Sequence, residues 1–144
     1  MDQTVGTAGA TTTGKSTGRR MAVPGRRRLL GAVAMVAVGS FMPWLDTVVG
    51  TVSGARGAGL WTFYAAMLGL AGALVPVRSL AVVQGAVLAL VASVLPVWQL
   101  VHVYSMVGTA GWMPGPGLVL VLGGGVLAAV AVRQMATAPW PSRR

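Results

Sequence analysis

Residues 59–103 read GLWTFYAAMLGLAGALVPVRSLAVVQGAVLALVASVLPVWQLVHV, and this stretch carries a single charge, Arg78, close to Pro76. As one helix it would reach roughly 67 Å at 1.5 Å per residue, over twice the roughly 30 Å hydrocarbon core of a bilayer. It must fold back on itself. The turn belongs at Val75-Pro76-Val77-Arg78-Ser79, because proline breaks a helix and an arginine at mid-membrane costs about 2.5 to 3.5 kcal/mol on insertion scales. Two spans result, 59–75 and 79–101, and Pro96 is expected to kink the second or end it early.

Working outward, the preceding apolar run LLGAVAMVAVGSFMPWL, residues 29–45, is free of charge and predicts a first span. Between it and the second span, TVVGTVSG has the look of a short hairpin turning near Gly50. Downstream, a Gly- and Pro-rich loop over 105–116 leads to a fourth span, 117–132, whose Gly123-Gly124-Gly125 run is better tolerated in lipid than in water. The expected fold is all-α, an integral membrane four-helix bundle. Residues 1–28, rich in Thr, Gly and Ser and then basic, read as a disordered arm, and 133–144 as a tail.

Composition agrees with a lipid setting: 55% of residues are hydrophobic and 9% charged, against roughly 25% charged in soluble domains. The net charge of +9 could serve nucleic acid or an anionic membrane surface. Position favours the membrane, since Lys15, Arg19, Arg20, Arg26, Arg27 and Arg28 all precede the first apolar run. With four spans, every basic residue except Arg56 falls on one face, so the positive-inside rule places both termini in the cytoplasm. Trp44 and Trp61 bracket one outer loop and Trp98 and Trp112 the other, as interfacial anchors would. Arginine outnumbers lysine ten to one amid abundant Ala, Gly and Val, as in a GC-rich bacterial genome, and with the apolar spans this makes a bacterial cytoplasmic membrane the expected location.

Several motifs point to chemistry and are answered by their surroundings. Residues 9–16, GATTTGKS, match the phosphate-binding loop pattern, yet no strand precedes them and no helix follows, so no nucleotide is expected. Arg26, Arg27 and Arg28 with Leu29 and Leu30 resemble an export signal, here read as an uncleaved anchor whose arginines contact lipid headgroups. Asp46, His102 and Ser105 could form an acid, base and nucleophile only if the first and third helix ends met, and no oxyanion hole is in sight. With no cysteine and one histidine, no metal site or cofactor is expected, and the chain is not expected to be an enzyme. Gln84 and Ser93 are the strongly polar mid-span groups, each read as a helix-to-helix hydrogen bond before a permeation site.

Small residues four apart run down the second span, Ala65, Gly69 and Ala73, and down the third, Ala81, Gly85 and Ala89, so these helices are expected to pack on each other. Phe41-Met42-Pro43-Trp44 and Leu95-Pro96-Val97-Trp98 echo each other, as two similar interface anchors or as a repeat of two hairpins. Phe41-Met42-Pro43-Trp44-Leu45, Gly50, Val52-Ser53-Gly54 and Gly57-Ala58-Gly59 resemble a pattern in uncharacterised actinobacterial small membrane proteins with four spans. The layout, including Leu70-Ala71-Gly72-Ala73-Leu74 ahead of a basic turn, is similar to the tryptophan-associated transmembrane family. This resemblance covers about residues 26–103 and implies a lineage and no catalytic residues. The resulting expectation is a non-enzymatic accessory or interaction subunit whose partners are the bilayer and either a membrane protein or further copies of itself. The alternative is an oligomeric channel or small-molecule transporter.

Overall fold

The computed structural model describes residues 25–109 and 111–139. The phosphate-loop match, Arg19, Arg20 and most of the basic arm lie outside them, as does the end of the tail. Four helices run α1 Arg26–Phe41, α2 Gly59–Leu74, α3 Arg78–Val107 and α4 Pro116–Thr137. Three short strands join them, β1 Pro43–Thr47, β2 Gly50–Ser53 and β3 Trp112–Pro114, with one 3-10 turn at Gly54–Arg56. The fold is therefore mostly helical but not all-α. By length and composition α3 and α4 are long and apolar enough to cross a membrane, while α2 is a shorter apolar helix.

Proline explains where the predicted spans and the helices diverge. The run 29–45 is not one helix: α1 starts earlier, at Arg26, and stops at Phe41, with Met42 extended at ψ 164. A residue before proline is pushed out of the helical region, so Pro43 turns the rest of the run into β1. The same rule ends α2 one residue before its predicted limit, where Val75 is extended at ψ 135 ahead of Pro76. Pro96 does not end α3, which continues to Val107 with Pro96 fully buried inside it. Its 30 residues reach roughly 45 Å. Gly108, at φ 68, then stops it in a conformation that favours glycine. At the other end of the chain, 133–137 belongs to α4 and not to a tail.

The helices form a ring in chain order, α1 on α2, α2 on α3, α3 on α4 and α4 back on α1, so α1 and α3 lie across the diagonal. Leu29, Val36, Leu88, Leu118, Val121 and Met135 fill the centre. Counted from Arg26 and from Arg78, the same positions of α1 and α3 are buried: Leu29 and Ala81, Val33 and Gly85, Val36 and Leu88, Ser40 and Ala92.

Small residues set how closely the ring closes. Ala65, Gly69, Ala73 and Ala81 are buried as expected, and Ala89 is half-buried. A Cβ on Gly69 would come 2.7 Å from Leu88 Cδ2, so α2 and α3 meet there. Gly85, in contrast, faces Val132 of α4 and Leu29 of α1. Gly72 takes its place opposite α2's partner: a Cβ there would meet Gln84 Oε1 at 2.6 Å and the Ala81 Cα at 3.3 Å. The closest helix contacts of α4 were not foreseen. Gly117 lies against Gly39, Gly124 against Val36 and Ala32, and Gly125 against Ala92 and Ser93.

The three adjacent glycines of α4 thus differ in what a methyl group would meet. At Gly124 it would come 2.6 Å from Val36 Cγ2, whereas at Gly123 it would meet the flexible end of Met35 at 3.2 Å. Gly124→Ala should destabilise the folded chain by about 1 to 3 kcal/mol through overpacking. Gly123→Ala should be neutral or stabilising by up to about 1 kcal/mol through helix propensity. Thermal unfolding of both variants in mild detergent checks the difference.

Candidate functional site

The two ends of the bundle are where the structure gathers its polar groups. At one end α1 and α3 begin and α2 and α4 finish. A helix leaves its last four carbonyls without intrahelical donors, and the aligned peptide dipoles make that end negative. Arg26 answers this for α2: Nε donates to the Ala73 carbonyl at 2.7 Å and a terminal nitrogen to that of Val75 at 3.1 Å. Arg78 does the same for α4, donating to the Ala138 carbonyl at 2.7 Å and to that of Ala136 at 3.1 Å. In both cases the accepting carbonyls lie three residues and one residue before a proline, Pro76 and Pro139.

The first arginine of each helical hairpin therefore closes that hairpin's second helix. The predicted headgroup contacts separate accordingly: Arg26 is half-buried and engaged with backbone, while Arg27 and Arg28 are exposed. Arg78, predicted as a turn residue, opens α3 instead.

At the opposite end the two interhelical loops meet in one sheet, ordered β2-β1-β3 and antiparallel throughout. The hairpin predicted near Gly50 is present, with Thr47 opposite Gly50 and Gly50 at φ 138. The loop over 105–116 is more ordered than its composition suggested. Ser105 to Val107 complete α3, and Trp112–Pro114 pairs with β1, where Pro114 can sit because β3 is an edge strand.

Trp44 holds this end to the helices. It is 3% exposed, and its indole nitrogen donates to the Gly39 carbonyl at 2.9 Å, one of the free carbonyls at the end of α1. The Gly54 amide donates to the Met42 carbonyl and the Gly115 amide to that of Trp44, so each loop is tied to the α1–β1 junction. Trp44 is thus an internal anchor and not a surface one. Trp61 and Trp98 are exposed, and Trp112 is partly buried with its nitrogen on the Gly108 carbonyl at 2.8 Å.

The proposed acid, base and nucleophile are not assembled. His102 stacks on Trp98 with ring centroids 5.2 Å apart, and Ser105 donates to the His102 backbone carbonyl at 2.8 Å. No hydrogen bond joins Asp46 to either among the described residues. Gln84 Oε1 is buried without a hydrogen-bond partner among the described residues, in the space that a side chain on Gly72 would fill. Ser93 lies against Gly125.

The polar contact that sequence reading missed is the buried pair Ser40 and Thr62, whose hydroxyls are 2.7 Å apart between α1 and α2. Each also reaches a carbonyl on its own helix, Val36 at 2.7 Å and Gly59 at 2.8 Å. Two hydroxyl protons serve three short contacts, and either hydroxyl can donate in the bond between them. The signal available in sequence was slight: a lone hydroxyl within one turn of a helix end on each of two neighbouring helices.

No family model, no curated protein and no solved structure matches the chain.

Arg26→Ala should lower stability by about 1.5 to 3 kcal/mol, the usual worth of hydrogen bonds to a charged group. Arg28→Ala, at an exposed position, should change it by less than about 0.5 kcal/mol. Parallel melting curves of the two purified variants test this.

Proposed function

We propose that the chain is an integral protein of a bacterial cytoplasmic membrane, crossing it four times with the arginine end and both termini on the cytoplasmic side. It acts there by contact, as a non-enzymatic accessory or interaction subunit. The observation that carries this reading is the outward face of the helices. Leu30, Val38, Trp61, Leu68, Val87, Leu90, Val94, Val119 and Val126 are all exposed, spread over all four helices. Soluble monomers rarely expose apolar patches beyond a few hundred Å². Only 33% and 39% of the most apolar windows of α3 and α4 are buried in the protein, which suits helices facing lipid better than core helices.

Spacing supports the same placement. From Arg78 to Trp98 along α3 is roughly 30 Å, the thickness of a hydrocarbon core. The helices α1 and α2 reach roughly 24 Å each. On the outer side the strands add further apolar surface, where Val52 and Met113 are exposed. The lineage suggested by the Phe41-Met42-Pro43-Trp44-Leu45 pattern accords with a small four-span membrane protein. A channel or transporter is the second reading. Because Leu29, Leu88, Leu118 and Met135 close the bundle interior, its path would have to run between copies.

Alkaline extraction of native membranes, then mild solubilisation and stoichiometric co-purification, tests the proposal. The chain should stay with the membrane and emerge with a partner or with further copies of itself. A strictly monomeric chain without partners in native-like bilayers would contradict the contact role. Substrate-dependent or voltage-dependent flux into liposomes would move the channel reading ahead.

A further inference from the structure

The arginine end of the bundle carries more positive charge than the helices use. Arg26, Arg27, Arg28, Arg78 and Arg133 all lie there, whereas Asp46, the one acid among the described residues, sits in β1 at the opposite end. The helix ends do not neutralise this charge. Each contributes about half a unit, positive where α1 and α3 begin and negative where α2 and α4 finish, so the four cancel. Neither α1 nor α3 has a side-chain cap or an acidic residue in its first turn.

Two of these arginines differ from the rest in being fixed. Arg26 and Arg78 are half-buried, tied to the carbonyls that end α2 and α4, and both line one small cavity with Val75, Pro76, Ala81 and Met135. The cavity measures about 20 Å³, room for one oxygen-sized group. Its polar side chains are the two guanidinium groups, which donate hydrogen bonds and accept none. Arg26 uses Nε and one terminal nitrogen on the backbone, which leaves the remaining donors of its fork for a further acceptor. The complementary occupant is an oxygen that carries negative charge.

We propose that this niche binds a phosphate group, one oxygen entering the cavity that Arg26 and Arg78 line while the others stay at its mouth. Guanidinium forks match phosphate geometry and hold it by charge-assisted hydrogen bonds. A cavity for a single oxygen suits a phosphate whose substituents remain outside, as in a lipid headgroup, and depth agrees. On the membrane reading above, on which the lipid source rests, Trp98 lies at the outer boundary and Arg78 roughly 30 Å away at the inner one, the level of lipid phosphates. Free phosphate offers the same chemistry from the cytoplasm. Because the two arginines close α2 and α4, a phosphate held by both ties the two hairpins together, and binding raises the stability of the folded chain by mass action.

The full chain, purified in a neutral detergent without phosphate, is melted with phosphatidylglycerol, with diacylglycerol of the same acyl chains, and with inorganic phosphate against chloride at equal ionic strength. Phosphatidylglycerol should raise the melting midpoint by several degrees and diacylglycerol should not. A rise with the phospholipid alone assigns the site to a headgroup, and the same rise with inorganic phosphate assigns it to the free anion. Unchanged midpoints throughout, or equal rises with the two lipids, would overturn the proposal. The rise should shrink several-fold in Arg26→Lys and Arg78→Lys, which keep the charge and lose the fork, and persist in Arg27→Gln, Arg28→Gln and Arg133→Gln. Equal loss in all five variants would mean attraction to a diffuse positive surface and would also sink the site. Alkaline extraction of native membranes separates the two levels: a retained chain that neither phosphate source protects loses the site alone. A chain released by alkali loses the membrane reading and the lipid source, and protection by inorganic phosphate then decides the site.

Discussion

Everything in this small bundle depends on supplying donors to carbonyls where apolar helices end. The helices contain little that water could solvate, and an unpaired backbone group in a non-aqueous setting costs several kcal/mol. At one end the solution is two arginines, Arg26 and Arg78, each reaching from the start of one helix to the finish of the next. At the other it is a sheet built from both loops and fixed to α1 through the Trp44 indole. The arginines have a double use in the proposed membrane setting. They satisfy backbone groups and also mark the face that stays in the cytoplasm.

Between those ends, packing follows from where side chains are missing. Gly39 against Gly117, Gly124 against Val36 and Gly69 against Leu88 bring the backbones together around the ring. Contact of this kind is what holds helices together where the surroundings are as apolar as the side chains. Large residues serve both sides: Leu29, Val36, Leu88 and Leu118 fill the interior, while Leu90, Val94 and Val126 face outward.

The helices were legible because charge and proline punctuate the apolar runs: Arg78 and Pro76 place the reversal, and α2 lies almost where its sequence put it. The errors have one common source. Apolar runs report burial or lipid exposure but do not distinguish helix from strand, so residues 43–45 were assigned to a helix although Pro43 had already ended it. The strand Trp112–Pro114 is three residues long and exists through its pairing with β1, a contact distant in sequence. The arginine caps were hidden for the same reason, since Arg26 reads as part of a basic cluster until α2 folds back beside it. Trp44 has the sequence signature of a surface anchor, and only the return of the loops over it makes it internal.

The most direct test of the account is which side of the membrane each end of the bundle faces. Single cysteines replacing Val49 at the hairpin tip and Thr137 at the end of α4 are treated in intact cells with a thiol reagent that does not cross membranes. Val49→Cys should react at once, and Thr137→Cys only after the membrane is opened. Reaction of both in intact cells, or of neither, would contradict a four-span bundle with its arginine end inside.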